Sequence, residues 1–432
     1  MTRKRYVQVG TGTRAGMFSG AILGEFNETA ELVGLCDSNP GRLALALSAA
    51  HQRDPSVRGY PAADFERMIR ETNPDIVIVT SIDCTHDEYI CRAMVLGCDV
   101  ITEKPMTMTA EKCQRIIDTQ RKTGRSCRVT FNYRYSPPRT QVKDLLMSGV
   151  IGDVLSVDFH WMLDTHHGAD YFRRWHRYKD KSGGLMVHKA THHFDLVNWW
   201  LDTVPAAVFA SGQRRFYVPE RAAQYGLEDP GERCLTCPEA GKCPFFLDLR
   251  AYPTLKSLFL DNEQHDGYFR DRCVFSDDIE IEDTMNVLVD YANGVKMSYS
   301  LNAFMPWEGY TIVFNGTLGR LEHQMVESSY ISGDRHVPGE MEVEPTTIRV
   351  CPHFADAYEV DVWQGTGGHG GGDALLLRDL FDPDEERDIY RRAADHRAGA
   401  YSALTGIAAN QSMATNRQVV IESLVHGLER PF

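Results

Sequence analysis

The sequence predicts an α/β protein in two parts: a doubly wound parallel sheet at the N-terminus, then an α+β region with antiparallel strands. Three observations carry this reading. A short apolar stretch, Tyr6–Val9, runs straight into a glycine turn and a helix-compatible segment, and a second strand-like stretch, Glu31–Cys36, ends at the acid Asp37. Strand-like and helix-like segments then alternate as far as Thr102, the pattern of parallel strands joined by right-handed crossovers. Beyond Asp283, strand-like runs separated by Asn293-Gly294 and Asn315-Gly316 turns have the form of an antiparallel meander. With 432 residues the chain exceeds one ordinary core, and about 100 to 200 residues per domain suggests two domains or three.

The first turn reads Gly10, Thr11, Gly12, Thr13, Arg14, Ala15, a G-x-G-x-x-A pattern between two strands. Glycines allow a tight turn and close approach of a pyrophosphate, helix N-terminal amides face its charge, and an acid about 20 residues on accepts ribose hydroxyls. Gly10, Gly12, Thr13, Arg14, Ala15 and Asp37 are therefore candidate contacts to a dinucleotide. Asp37 would repel the extra phosphate of NADP, which favours NAD, while Arg42 keeps NADP open. Helices over 42–51 and 63–71, a strand over 75–81, a loop over 82–86, a helix over 87–96 and a strand over 99–102 follow. Ser81 and His86 bound that loop at a strand end, where cofactors lie. Glu103, Lys104 and Pro105 close the next strand. A lysine there can polarise a carbonyl or lower the pKa of a hydroxyl; alone it reads equally as a surface ion pair.

Gly183 to Asp195, GGLMVHKATHHFD, concentrates titratable groups among apolar residues. On one continuous helix His188, His192 and Asp195 share a face, and Lys189 and His193 point elsewhere. Limited water would shift the imidazole pKa values and suit proton transfer. Two other readings stay open: histidines satisfying core carbonyls, and a helical His-x-x-x-His metal pair.

Cys127–Tyr135 reads as a strand leaving the first domain, with the boundary near Arg125. That gives a nucleotide-binding domain over 1–125 and a substrate and oligomerisation domain over 126–432; Arg134 is a further candidate cofactor contact. A helix is expected over 139–148 and a strand over 154–163, with Trp161 on it. Its exit holds His166, Arg174 and Trp175, an aromatic and basic loop suited to gripping a polyol. Cys234, Cys237, Cys243 and Cys273 lie in an insertion around 212–275 with the spacing of a tetrahedral thiolate zinc site; an iron-sulfur cluster, reduced thiols or disulfides are the alternatives. Gly365–Asp373, a glycine-rich loop with His369, opens a helix near Ala374. Residues 382–397 read as a solvated helix face and 401–425 as a closing helix.

A formal charge of −14 argues against a nucleic-acid or anionic membrane partner, and no apolar run is long enough to span a bilayer. No signal peptide precedes the first strand, so cytoplasmic residence is expected. The odd cysteine count of 11, several in apolar contexts, argues against a disulfide scaffold.

Together the N-terminal GTGTRA, the Glu103-Lys104-Pro105 strand end and the GG…H…HHFD stretch resemble the Gfo/Idh/MocA family over nearly the whole chain. The resemblance implies an N-terminal Rossmann domain and a C-terminal domain on a large open, mostly antiparallel sheet. It further implies hydride transfer between NAD and a secondary alcohol of a sugar, cyclitol or glycoside, and assembly as homodimers or homotetramers. On this likeness Lys104 matches the lysine that contacts substrate and nicotinamide ribose, and His192 the general acid/base. His188 stands where many relatives have an aspartate, which removes the carboxylate expected to orient His192. Ser81 replaces a frequent proline in a loop one residue longer than usual. With Trp161, His166, Arg174, Trp175, His188, His193 and His369 at the substrate, the implied enzyme is a dehydrogenase. Related alternatives are a glycoside-cleaving enzyme that oxidises transiently and eliminates the aglycone, a non-catalytic sugar sensor that has no chemical need of Lys104 and His192, and a metal hydrolase on His188 and His192.

Overall fold

The structure is a computed structural model that describes residues 3–327, 346–365, 368–382 and 388–432. Two sheets organise it. The first has seven strands in the order β15-β6-β5-β4-β1-β2-β3. In chain order these are β1 (Lys4–Val9), β2 (Ala30–Asp37), β3 (Arg58–Pro61), β4 (Ile76–Val79), β5 (Asp99–Thr102) and β6 (Cys127–Val129), all parallel, with β15 (Ala394–Asp395) returning antiparallel on β6. β1 and β4 are buried nearly throughout because helices cover both faces, so they read as continuous apolar runs. The strand order reverses between β1 and β4, which opens a crevice at their carboxyl ends.

The second sheet has nine strands, β14-β13-β12-β11-β7-β10-β9-β8-β16. These are β7 (Val154–Asp164), β8 (Pro205–Gln213), β9 (Thr284–Tyr291), β10 (Lys296–Met305), β11 (Glu308–Gly316), β12 (Gly319–Glu327), β13 (Thr347–Pro352), β14 (Tyr358–Glu359) and β16 (Val419–Val420). Every pair is antiparallel except β7 with β10. In β7 the alternation puts Val157, Phe159, Trp161 and Leu163 inside. Helix His396–Thr415 packs on β8 and on β6, tying the two sheets together. Gly406 lets it approach closely, since a Cβ there would stand 2.2 Å from the Met186 carbonyl oxygen.

Several local expectations are corrected. The strand at Cys127 ends at Val129, and Asn132–Tyr135 is a 3-10 turn with buried side chains, because the chain bends back across the first sheet. The exit of β7 is a helix, Thr165–Arg173, capped by the Asp164 carboxylate, which accepts from the amides of His166 and His167. Gly183–Asp195 is two helices, Gly184–His188 and Thr191–Trp200, broken at Lys189-Ala190. The closing helix starts at His396 and ends at Asn416 in the left-handed region, so 416–425 does not continue it and holds a short strand and the 3-10 turn Ile421–Ser423 instead. Residues 388–393 are irregular rather than helical, and 383–387 lie outside the described residues.

Arg134 is 1% exposed and forks its Nε and Nη2 onto Asp195 at 2.7 and 2.6 Å. This pair bolts the 3-10 turn to helix Thr191–Trp200, and it replaces the expected role of Arg134 at the cofactor. Asp195→Ala would leave a dry guanidinium without its counter-charge, at a cost of about 3–5 kcal/mol of stability. Urea unfolding followed by tryptophan fluorescence measures this, and a loss below about 1 kcal/mol would show the pair to be dispensable.

Candidate active site

At the crevice the β1 turn is shaped to admit a ligand. Gly10 has φ +88°, and a Cβ on it would lie 2.6 Å from the Thr80 and Ser81 backbone. Gly12 is glycine for the opposite reason: a Cβ there would meet nothing within 4 Å, so the bare backbone faces open space. Helix Ala15–Leu23 begins with no side-chain cap and no acid in its first turn, leaving its positive end to an anion. At the end of β2, Asp37 accepts from Thr11 N at 2.7 Å and Thr11 Oγ1 at 2.8 Å, which fixes the turn to the acid. These features fit the pyrophosphate and adenosine ribose of a dinucleotide.

Arg14 joins three parts of the chain. Its Nε donates to Glu103 at 2.8 Å and its Nη2 to Asp373 at 3.1 Å, and Asp373 also accepts from Asn132 Nδ2 at 2.7 Å and pairs with His369 Nδ1 at 2.9 Å. Burial would push the Asp373 carboxyl up, but His369 and Arg14 together hold it far below the carboxylate range. Arg14 and Glu103 thus position the cofactor turn and the Glu-Lys-Pro turn against each other.

Beside them, Lys104 Nζ donates to the His188 carbonyl at 3.2 Å. Burial pushes the Lys104 ammonium down to about 8, against the pull of Asp83 and Glu103. His188 Nδ1 lies 2.5 Å from Asp83 Oδ2, on the turn that follows β4. Burial raises the Asp83 carboxyl and lowers the His188 imidazole, with Lys104 and Arg174 pressing the imidazole the same way. His192 stacks on Tyr133 at 4.4 Å, and burial followed by Lys104 and Lys189 lowers it well below the usual imidazole value. Two neutral imidazoles and an ammonium group therefore meet at the mouth of the first sheet. Trp175 and Tyr171 stand edge-on to His188, at 5.8 and 5.5 Å. Arg174 pairs with Asp170 at 3.3 Å, and His369 lies 5.8 Å from Tyr133.

Other residues singled out in the sequence serve the framework. His86 has Nδ1 2.8 Å from the Pro105 carbonyl and Nε2 3.0 Å from that of Ser81; it pins the loop and is buried, so it does not face a ligand. Trp161 and His193 are fully buried and stacked at 3.9 Å, with His193 Nδ1 2.6 Å from Tyr299 Oη, which removes both from the substrate. His167, rather than His166, reaches the cluster: it stacks on Tyr171 and pairs with Glu308 at 2.8 Å. Arg42 is spent on Asp266 at 2.5 Å, which corrects its reading as a phosphate receptor. The four insertion cysteines line one cavity, although no set of three His, Cys, Asp or Glu among the described residues stands at metal-ligand spacing.

Sequence reasoning missed Asp83, Lys189, Tyr133 and Asp266. Lys189 was expected to point away, yet the helix break turns its ammonium to 4.8 Å from the Trp161 ring and 3.8 Å from Glu308. Asp83 had a signal, an acid in the loop at the carboxyl end of β4. For Asp266, 224 residues from Arg42, no local pattern exists.

The chain matches the oxidoreductase-family NAD-binding Rossmann fold over residues 4–131 and the oxidoreductase-family C-terminal alpha/beta domain over residues 143–421. It is 37% identical over 437 residues to YteT of Bacillus subtilis (strain 168), an oxidoreductase by designation, with 98% of each chain covered. The D-glucoside 3-dehydrogenase of Escherichia coli (strain K12) is 34% identical over 203 residues, covering 46% of this chain and 55% of that one. In fold, the WlbA dehydrogenase from Bordetella pertussis, solved with NADH and UDP-GlcNAcA, superposes with a TM-score of 0.64 at 17% identity, over 97% of this chain and 99% of that one. No described helix is long and apolar enough to cross a membrane. With both domain models matched in order along nearly its whole length, the chain belongs to the Gfo/Idh/MocA family of oxidoreductases, with an NAD-binding Rossmann domain at its N-terminus.

Proposed function

We propose that the chain is an NAD-dependent dehydrogenase that oxidises a secondary alcohol of a sugar, cyclitol or glycoside. The observation that carries this reading is the convergence of the Lys104 ammonium with the neutral imidazoles of His188 and His192 beside the crevice. NAD, held by Gly10, Gly12, Thr13 and Ala15 at the pyrophosphate and Asp37 at the ribose, supplies the hydride acceptor. Lys104 donates to the substrate hydroxyl oxygen and lowers the cost of the developing alkoxide. His192, kept neutral, takes the hydroxyl proton. His188, hydrogen-bonded to Asp83 on the loop after β4, offers a second oriented imidazole. Trp175 and Tyr171 offer flat faces to sugar C–H groups. NAD is preferred over NADP because Arg42 is neutralised by Asp266 and lies 4.0 Å from Asp37, leaving net negative charge where a 2′-phosphate would sit. The glucoside dehydrogenase relative supports a glycoside as substrate.

A second reading, glycoside cleavage by transient oxidation and elimination, is favoured by one observation. The GHGGGD loop sets His369 against Tyr133, the ring that also stacks on His192. A panel of sugars, cyclitols and glycosides with NAD and NADP separates the two. Net NADH accumulation supports the dehydrogenase, aglycone release without it supports cleavage, and no turnover on any of them with intact NAD binding supports a sensor.

Three outcomes are expected of the dehydrogenase. His192→Ala lowers kcat by about 10² or more with NAD binding nearly unchanged, and turnover within about threefold of wild type rejects the assignment. Because Lys104 works as the ammonium form and titrates at about 8, kcat falls as pH rises through that value, whereas the histidines, neutral well below 6.5, impose no acid limb near neutrality. Lys104→Arg removes the alkaline limb at reduced turnover, and a wild-type profile that is flat through pH about 9 rules out the role. Asp266→Ala frees Arg42 and raises kcat/KM for NADP relative to NAD by about tenfold, so an unchanged ratio rejects this account of cofactor choice.

A further inference from the structure

Residues 214–283, between β8 and β9, form an insertion whose base joins the main core through residues such as Leu227, Phe245 and Phe275, while Cys234, Leu247, Leu249, Leu255 and Phe259 make a small buried cluster of its own. Its regular structure among the described residues is a few short helical turns and one isolated bridge between Arg233 and Arg272. Even so, it must hold Asn262 and Asp266 in place on the first domain, where Asn39 Nδ2 donates to both at 3.0 Å. The lobe that carries these two residues has only its own small cluster to stiffen it.

Four cysteines of the insertion, Cys234, Cys237, Cys243 and Cys273, line one small cavity together with Arg233 and apolar residues such as Leu227, Phe245 and Phe275; the Arg233 guanidinium is itself paired with Glu263 and Asp271. The two arms carrying them are zipped at this point: Cys234 N donates to the Asp271 carbonyl at 2.8 Å and Cys273 N to that of Glu232 at 2.9 Å. Backbone N–H groups are aimed at three of the sulfurs. Gly231 N donates to Cys237 Sγ at 3.3 Å, Phe275 N to Cys273 Sγ at 3.4 Å, and Phe245 N to Cys243. A neutral thiol is a weak acceptor that gains little from this, whereas a thiolate ligand gains a charge-assisted bond.

We propose that Cys234, Cys237, Cys243 and Cys273 bind a structural zinc ion as four thiolates, and that the ion fixes the insertion against the first domain. Four thiolates at about 2.3 Å from the metal are the donor set of a tetrahedral structural zinc site. Binding releases the thiol protons to solvent and involves no redox change. With all four positions filled by protein, the site is closed and has no part in hydride transfer.

Metal analysis of the full chain, purified without a metal-affinity step from zinc-sufficient medium, should find about one zinc per chain, released in step with titration of the thiols by a mercurial. Cys243→Ser should lower that to under about a tenth, whereas Cys91→Ser and Cys351→Ser should leave it unchanged. Should Cys243→Ser fail to fold, the wild-type metal content and release curve decide the matter. Zinc below about a third of an equivalent overturns the proposal, as does iron with visible absorbance, or a disulfide among the four in peptides mapped without reduction. None of these readouts depends on the substrate or on the proposed reaction.

Discussion

The constraint on which the rest of the structure depends is that a charge removed from water must find its partner, and in this chain the partners lie in distant segments. Arg14 is the centre of it. Placed between Glu103 and Asp373, it ties the glycine turn of β1, the end of β5 and the glycine-rich loop near the C-terminus into one unit. Lys104 follows Glu103 directly, so the position of its ammonium is inherited from that pair. Lose the Arg14 contacts and nothing local would hold Lys104 next to His188 rather than out in solvent, the usual place of a lysine. Asp373 is committed in the same way, and its bond to His369 fixes the imidazole of the C-terminal loop near Tyr133.

The same logic governs the imidazoles. His188, His192 and His193 occupy one short stretch, yet they meet three environments: the Asp83 carboxylate, the Tyr133 ring, and the Trp161 and Tyr299 core. The break at Lys189-Ala190 separates His188 from the other two, and the turn of about 100° between neighbouring positions on helix Thr191–Trp200 separates His192 from His193. His188 and Asp83 restore an acid–imidazole pair with its members exchanged: the imidazole comes from the second domain and the carboxylate from the loop after β4. A pair spanning the two domains is made only when both are docked, so the geometry of the site depends on their packing rather than on either sheet alone.

Much of this was legible in the sequence where the signal is local. The turn glycines, Asp37, the alternation through β5, the Glu-Lys-Pro strand end and the meander beyond Asp283 each announce themselves within a few residues. The family resemblance carried the two-domain plan. What could not be read depends on partners far along the chain. Arg134 looked like a cofactor contact because nothing near it showed that Asp195 would claim it. Arg42 looked available for a phosphate because its counter-ion, Asp266, lies in the insertion. His193 and Trp161 looked polar enough for a sugar, yet they stack on each other and the Tyr299 hydroxyl holds the imidazole inside the core. Helix limits went astray for a related reason: tertiary packing, not propensity, decides that residues after Asn416 leave the helix and that Asn132–Tyr135 turns instead of extending β6.

The late segments explain why the crevice can be both exposed and well defined. Helix His396–Thr415 lies against both sheets, and β15 adds an edge to β6, so the end of the chain braces the domain it left behind. On the adenosine side the insertion reaches back in the same way, and Gly41 shows how closely: a Cβ there would stand 1.6 Å from Asn262 Oδ1. The Asn262 side chain of the insertion thus packs directly on the start of the helix that follows β2. On the proposed function, cofactor selectivity and catalysis are divided between two remote additions to the parallel sheet, one bearing Asp266 and the other Asp373. Each acts by claiming an arginine, Arg42 or Arg14, that the first domain would otherwise leave free to bind an anion.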